Sequence, residues 1–397
     1  MKLSEKVASM ALSPIRKFAP IAKEREEQGV KIYYLNIGQP DIETPSCFVE
    51  AIQSFDEDVI EYANSQGLDP LVDAICDYFE SYGMHYEKED IMITNGGSEA
   101  LSMVYNCILN PGDNILVPEP YYTNYDAFVA MTSGYIKPIT TSPEEGYFFA
   151  DAEKIEKCID ENTKAICLPA PGNPTGRTLS LDDIRVICEV AEKHDLWIIA
   201  DEVYREFVYD GGEMTSFGML PEFADRVVIV DSISKRYSSC GARIGFIVTK
   251  NKDMQEGLMK IAQGRLCVPT LEQIGATELF RLPKSYYDEV CAEYESRRDA
   301  AYAEISKIPG VVCQKPGGSF YLMAKLPVDN AEDFLLFMLH DFEDNGETVM
   351  FTPAEGFYAT EGLGKEEIRI AYVLNAKDMA RSAELIRLGI EAYNNRK

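Results

Sequence analysis

Histidine is scarce in this chain: His85, His194 and His340 are the only three among 397 residues. A multi-histidine metal centre therefore has little support, and no metal site is expected. The ten cysteines are more numerous, but no two form a C-x-x-C pair and all scatter through apolar segments. That spacing supports neither a zinc site nor a disulfide framework; it reads as free, buried thiols in a reducing cytoplasm. Basic residues are also short, 38 against 66 acidic, for a formal net charge of −28. A surface this negative repels phosphate backbones and anionic membranes, so neither nucleic acid nor a membrane is an expected partner. No stretch approaches the ~20 apolar residues of a membrane helix. Near the N-terminus Lys2, Glu5 and Lys6 are charged, and Pro14, Arg16 and Lys17 cut the apolar stretch that follows. A signal peptide needs an unbroken apolar core there, so a soluble, cytoplasmic protein is expected. Internal repeats and Ser/Gly/Pro-rich linkers are missing too.

What remains is an ordinary globular composition, 46% hydrophobic and 26% charged. The length suits two or three domains of roughly 100–200 residues. Brief, nearly continuous apolar runs at Ile91–Thr94, Asn114–Val117, Lys164–Leu168, Trp197–Ala200, Val227–Val230 and Ile244–Val248 read as strands buried on both faces. Between two of them, Ser180 is a plausible N-cap with Asp183 as its capping-box partner. Ile184, Ile187, Cys188 and Ala191 then share one helical face. Strands alternating with such helices predict an α/β body, a mostly parallel sheet with helices on both faces. Beyond about residue 290 the pattern changes. A charged helical stretch runs from 286 to 308, followed by Gly317-Gly318-Ser319-Phe320-Tyr321, a helix over 332–342, a strand over 368–373 and a closing helix to Tyr393. These predict a smaller α+β domain.

In open α/β sheets, ligands bind beyond the carboxyl ends of the strands, and the unusual residues cluster there. Asn95-Gly96-Gly97-Ser98 closes a strand and opens a helix, where free N–H groups attract an anion such as phosphate. Pro171-Gly172-Asn173-Pro174-Thr175-Gly176 is a locked loop whose one side chain rich in hydrogen bonding is Asn173. Asp201 and Glu202 directly follow a buried strand, where a carboxylate is costly unless a cation pairs with it. Tyr204 lies about one turn further on. Ser232, Ser234 and Arg243 could hold a phosphate dianion, and Lys235 beside them could form a Schiff base. Singly, each has a plain structural explanation: a turn, a rigid loop, a surface lysine.

Jointly they point further. The chain resembles the fold-type I pyridoxal phosphate enzymes of the class I and II aminotransferase family. The resemblance runs from about residue 14 to the C-terminus. It is carried by Tyr62-Ala63-Asn64, Gly96-Gly97-Ser98, Pro120-Tyr121-Tyr122, Asn173-Pro174-Thr175-Gly176, Asp201-Glu202-Val203-Tyr204, Ser232-Ile233-Ser234-Lys235, Gly241-Ala242-Arg243-Ile244-Gly245 and Ile368-Arg369-Ile370. It implies an N-terminal arm and part of a small domain over 1–40, a large cofactor-binding domain over 41–290 and a small C-terminal domain over 291–397.

By that resemblance Lys235 binds pyridoxal phosphate as a Schiff base and, once displaced, acts as general base and acid. Asp201 pairs with the pyridinium nitrogen, Asn173 and Tyr204 bond the phenolic oxygen, and Tyr122 stacks on the ring, where many relatives carry tryptophan or phenylalanine. Gly97, Ser98, Ser232, Ser234 and Arg243 bind the phosphate. Tyr62 reaches the phosphate of a neighbouring subunit, which implies a homodimer with shared active sites. Arg369 clamps the substrate α-carboxylate, helped by the backbone near Gly38. Its alternation with Ile368 and Ile370 turns it away from both apolar neighbours. Arg265 is a candidate for side-chain specificity, a surface cation in a mobile loop being the other reading.

The function implied is transfer of an α-amino group from an amino acid to a 2-oxo acid in a ping-pong cycle. A C–S β-lyase on the same fold would carry much the same residues, because the cofactor does the hard chemistry. A non-catalytic cofactor-binding regulator would need a basic DNA-binding segment, and none is present.

Overall fold

A computed structural model of the protein describes residues 1–8, 10 and 17–396. Part of the expected N-terminal arm, residue 9 and residues 11–16 with Pro14 and Arg16, lies outside the described residues. Twelve strands run in chain order as β1 (Lys31–Tyr34), β2 (Ile91–Thr94), β3 (Asn114–Glu119), β4 (Tyr135–Thr140), β5 (Thr163–Pro169), β6 (Trp197–Asp201), β7 (Val227–Ser232), β8 (Gly245–Val248), β9 (Tyr321–Lys325), β10 (Glu347–Met350), β11 (Thr352–Pro353) and β12 (Glu367–Ala371).

Seven of them form one sheet in the order β2-β8-β7-β6-β5-β3-β4. The β3–β4, β3–β5, β5–β6 and β6–β7 pairs are parallel, whereas β8 is antiparallel to both β2 and β7. The reason lies in the connections. A parallel return needs a crossover, usually a helix. Between β7 and β8 the chain makes only a loop, Ile233–Ile244, so β8 runs back beside β7. That reversal sets Gly245 opposite both Ser232 and Thr94, and the residues flanking all three meet at one sheet edge.

The alternation of buried side chains shows why the central strands read as unbroken apolar runs. Ile198 and Ala200 of β6 join the apolar cluster on one face, and Ile199 joins the cluster on the other. The Leu181–Lys193 helix covers one face. It starts with the expected capping box: the Asp183 N–H donates to Ser180 Oγ (3.1 Å), and the Ser180 N–H donates to Asp183 Oδ2 (2.9 Å). Its Ile184, Ile187, Cys188 and Ala191 are buried.

Two strand groups have no clear signature in the sequence. β4 is an edge strand containing Lys137 and Pro138, largely half-exposed, so it has no continuous apolar run. β1 and β10 pair in parallel across more than three hundred residues of chain, each only four residues long. β11, β12 and β9 form a separate antiparallel sheet. A third apolar cluster gathers Phe18, Ile32 and Leu35 with Phe320, Phe334, Ile368 and Leu385. Residues 31–35 thus pack with the C-terminal part of the chain. No helix among the described residues is long and apolar enough to cross a membrane.

Candidate active site

Beyond the carboxyl ends of β2, β5, β6 and β7 lies a cavity of about 170 Å³. Gly97, Ser98, Tyr122, Asn173, Asp201, Tyr204, Ser232, Ser234, Lys235 and Arg243 all line it. These are the residues singled out from the sequence, except Gly38, Arg369 and Tyr62. Gly38 and Arg369 touch lining residues. Lys235 Nζ donates to the Gly38 carbonyl (2.8 Å), and Arg369 Nη1 donates to Asn173 Oδ1 (3.2 Å). Tyr62 is not brought there; its side chain is 82% exposed. Arg265 is not there either. Its guanidinium donates to the main-chain carbonyls of Ser65 (3.1 Å) and Ile93 (3.3 Å) and lies 3.7 Å from Glu99.

Asp201 is buried at the end of β6. Its Oδ2 accepts from the Tyr125 hydroxyl (2.8 Å), whereas Oδ1 has no partner. Burial pushes its pKa up to about 6, against the opposing pull of the Tyr125 and Val203 donors. Glu202, the next residue, faces the other way and takes Arg205 Nε (2.7 Å) and the Phe217 N–H (2.9 Å).

The cations are placed the opposite way, as charges without anions. Arg369 is buried, its guanidinium over the rings of Tyr321 (4.5 Å) and Phe357 (4.8 Å). Its Nη2 donates to the Asn36 carbonyl (2.8 Å), its Nε has no partner, and burial lowers its pKa. Arg243 donates only to the Cys240 carbonyl (2.9 Å) from a left-handed backbone conformation, φ 55°. Gly96, at φ 77°, lies so close that a Cβ there would run into the Arg243 guanidinium. The helix that begins at Gly96 can therefore start against Arg243 only with glycine at that position. Among the described residues, none of Lys235, Arg243 and Arg369 has an ion pair.

In a chain with an excess of 28 negative charges, two cations without ionic partners line one hole, and a third, Arg369, donates to its lining residue Asn173. A lone buried carboxylate faces them with one bare oxygen. That set fits a ligand with an anionic end beside Gly97, Ser98, Ser232, Ser234 and Arg243, and a protonated ring nitrogen at Asp201. It leaves Arg369 for a second anion. Pyridoxal phosphate with an amino acid has these charges.

The sequence of residues 30–386 matches the family described as aminotransferase class I and II. The chain belongs to this family. It is a pyridoxal phosphate-dependent aminotransferase. An aspartate aminotransferase of Bacillus subtilis (strain 168) is 28% identical over 406 residues, covering 99% of this chain and 100% of that protein. Among solved structures, an alanine aminotransferase from Pyrococcus furiosus superposes with a TM-score of 0.88 at 28% identity, covering 100% of both chains. The aspartate aminotransferase from Rhizobium meliloti has the same fold, with a TM-score of 0.90 at 24% identity over 98% of this chain and 99% of that one.

Two residues at the aminotransferase's cavity had no assigned role in the sequence. Tyr125 follows Tyr122 by three positions, and only the fold aims its hydroxyl at Asp201. Tyr321 lines the cavity, with its hydroxyl 3.2 Å from that of Tyr204 and its ring beneath Arg369. Its segment was visible, but nothing in spacing alone pairs it with Tyr204.

A raised carboxyl pKa has a stability consequence in the cofactor-free protein. With the folded value near 6 and the unfolded value near 3.8, the folded state binds the proton more tightly. Stability therefore rises as pH falls from about 6 toward 4, and the ionised group destabilises the fold above pH 6. Cofactor-free Asp201→Asn should accordingly be more stable than the cofactor-free parent at pH 7, by on the order of 1–3 kcal/mol. Denaturant titration of both apoproteins measures this, and a less stable Asn variant contradicts it.

Proposed function

We propose that Lys235, Asp201 and Arg369 are the reacting centre of this aminotransferase. The observation that carries the reading is the set of cations without ionic partners around the cavity's incompletely bonded carboxylate, Asp201. Pyridoxal phosphate, when bound, supplies an aldehyde that takes up the amino group and a ring that draws electrons from the substrate Cα. Lys235 would hold it covalently through Nζ, with the Gly38 carbonyl aiming the amine. The same Nζ, once released, removes and returns the Cα proton. Asp201 Oδ1 would hold a proton on the ring nitrogen, and that pairing would lower the carboxyl pKa from its raised value. Tyr125 fixes the other carboxylate oxygen. Asn173 and Tyr204 would bond the ring's phenolic oxygen, and Tyr122 would cover the ring and keep water off it.

Gly97, Ser98, Ser232, Ser234 and Arg243 would bind the phosphate with main-chain and hydroxyl donors and one guanidinium. Arg369, already held against two aromatic rings, would receive the substrate α-carboxylate in a bidentate pair. A homodimer belongs to this reading. Val59, Ile60, Tyr62 and Leu266 are exposed large apolar side chains that a second copy would cover, and Tyr62 would reach the phosphate of that copy. We place the large body at 41–290 and the small body at 1–40 with 291–397. The ten free thiols fit a reducing cytoplasm.

The side-chain subsite would favour a neutral donor such as alanine, because Arg265 does not line the cavity and its charge already faces Glu99 at 3.7 Å. A panel of amino acids offered with 2-oxoglutarate or pyruvate tests this. Donors with neutral side chains should outpace aspartate, with the amino group recovered on the oxo acid. Aspartate as the best donor, or net release of pyruvate and ammonia from cysteine conjugates, would contradict it.

Arg369→Leu should raise KM for every donor tested, costing on the order of 10²-fold in kcat/KM as a buried charge-assisted pair is lost. An unchanged KM moves the carboxylate site elsewhere. Asp201→Asn should retain the cofactor and slow turnover by about 10²- to 10⁴-fold. A parental rate would remove the ring-nitrogen role.

A further inference from the structure

Outside the cavity's lining lies a second cluster of charge. Glu202, Arg205, Glu206, Asp231 and Arg236 are all buried, with side-chain exposures of 6% or less. None of them lines the cavity. Asp231 is the hub. Its Oδ2 accepts from Arg205 Nη2 (2.9 Å) and from Arg236 Nη2, and its Oδ1 accepts from the Ser232 N–H (2.6 Å). Arg205 reaches back to Glu202, and Arg236 Nη1 donates to Glu206 Oε1 (2.8 Å).

Four of the five are chain neighbours of cavity residues. Glu202 follows Asp201, Arg205 follows Tyr204, Asp231 precedes Ser232 and Arg236 follows Lys235. The cluster thus ties two separate segments together. One carries Asp201 and Tyr204, and the other carries Ser232, Ser234 and Lys235. β6 and β7 are already neighbours in the sheet, but their register ends at the Asp201–Val230 pair. Past that pair, no ladder sets the distance between Lys235 and Asp201. Arg205 and Arg236, sharing a single oxygen, bridge that gap. Buried ion clusters are weak sources of stability compared with apolar packing, and their best-attested use is to fix register.

We propose that Asp231 is a positioning residue, which through Arg205 and Arg236 sets Lys235 at its working distance from Asp201. Glu206 is peripheral to this role. Its Oε1 takes Arg236 and the Tyr78 hydroxyl, and its Oε2 has no partner. The hub also reaches Asp201 electrostatically, since the Asp231 charge contributes to raising the Asp201 pKa.

The inference rests on the roles of Lys235 and Asp201 proposed above, and the test separates the two. Asp231→Asn, Arg236→Lys and Glu206→Gln are prepared as holoenzymes with the parent. Each is read for kcat, KM, melting temperature and the pH midpoint of the bound cofactor's visible absorbance. Asp231→Asn should lower kcat by on the order of 10²-fold, as a misplacement of about 1 Å does, with little change in KM. Its absorbance midpoint should move. Arg236→Lys keeps the charge but loses the fork, so it should show a smaller change of the same kind, and it carries the test if Asp231→Asn does not fold. Glu206→Gln should match the parent in kcat and midpoint. A variant of Asp231 or Arg236 that melts lower yet keeps the parental kcat and midpoint overturns the inference. So does a Glu206→Gln that is as impaired as Asp231→Asn. A parent without visible cofactor absorbance overturns instead the site reading on which it stands.

Discussion

A carboxylate at the floor of a cavity, with one oxygen bonded to a phenol and the other bare, sets the terms for the rest of this protein. Asp201 sits there because β6 ends there, and β6 ends there because an apolar run buried on both faces stops at its first charged residue. Burial without a cation makes the ionised form costly. Tyr125, Val203 and Lys235 relieve part of that cost, and in the proposed role a positively charged donor from outside the chain would relieve the rest. In the proposed role the ligand's protonated ring would belong to the folded structure's electrostatics as well as to its chemistry.

The cations around the same cavity pose the complementary problem. Arg369 is buried against the rings of Tyr321 and Phe357, yet it has only neutral acceptors. Arg243 is brought in by the antiparallel return of β8 and by the glycine at 96 that lets it approach. Lys235 hangs from the loop between those strands. In a strongly acidic chain, cations left without carboxylates keep a high affinity for anions that come and go, which a substrate and a cofactor phosphate both supply. The fold contributes placement: parallel strands deliver Asp201 and Ser232 to one edge, and the single reversed strand delivers the guanidinium.

Much of this arrangement is legible in the amino-acid sequence. The central strands can be read because both faces are buried, so Trp197–Ala200 and Val227–Val230 carry no polar interruptions. The residues at their ends stand out for the same reason, as charge directly after apolar sequence. The demand of Asp201 for a cation is readable from Ile198-Ile199-Ala200 alone. What stays hidden depends on contacts across the chain. β4 carries Lys137 and Pro138 because an edge strand tolerates both. β1 and β10 recognise each other only once the intervening chain has folded. Tyr125, Tyr321 and the Arg205–Asp231–Arg236 hub have no periodic signature, and their partners come from segments that the topology, not the spacing, brings together.

The most direct test of the account is where the cofactor attaches. The purified holoenzyme is reduced with borohydride, digested, and its peptides are mapped by mass. One cofactor-labelled peptide is expected, modified at Lys235 and containing Ser232-Ile233-Ser234. A label on another lysine, or a reduced protein with no labelled peptide, would contradict it.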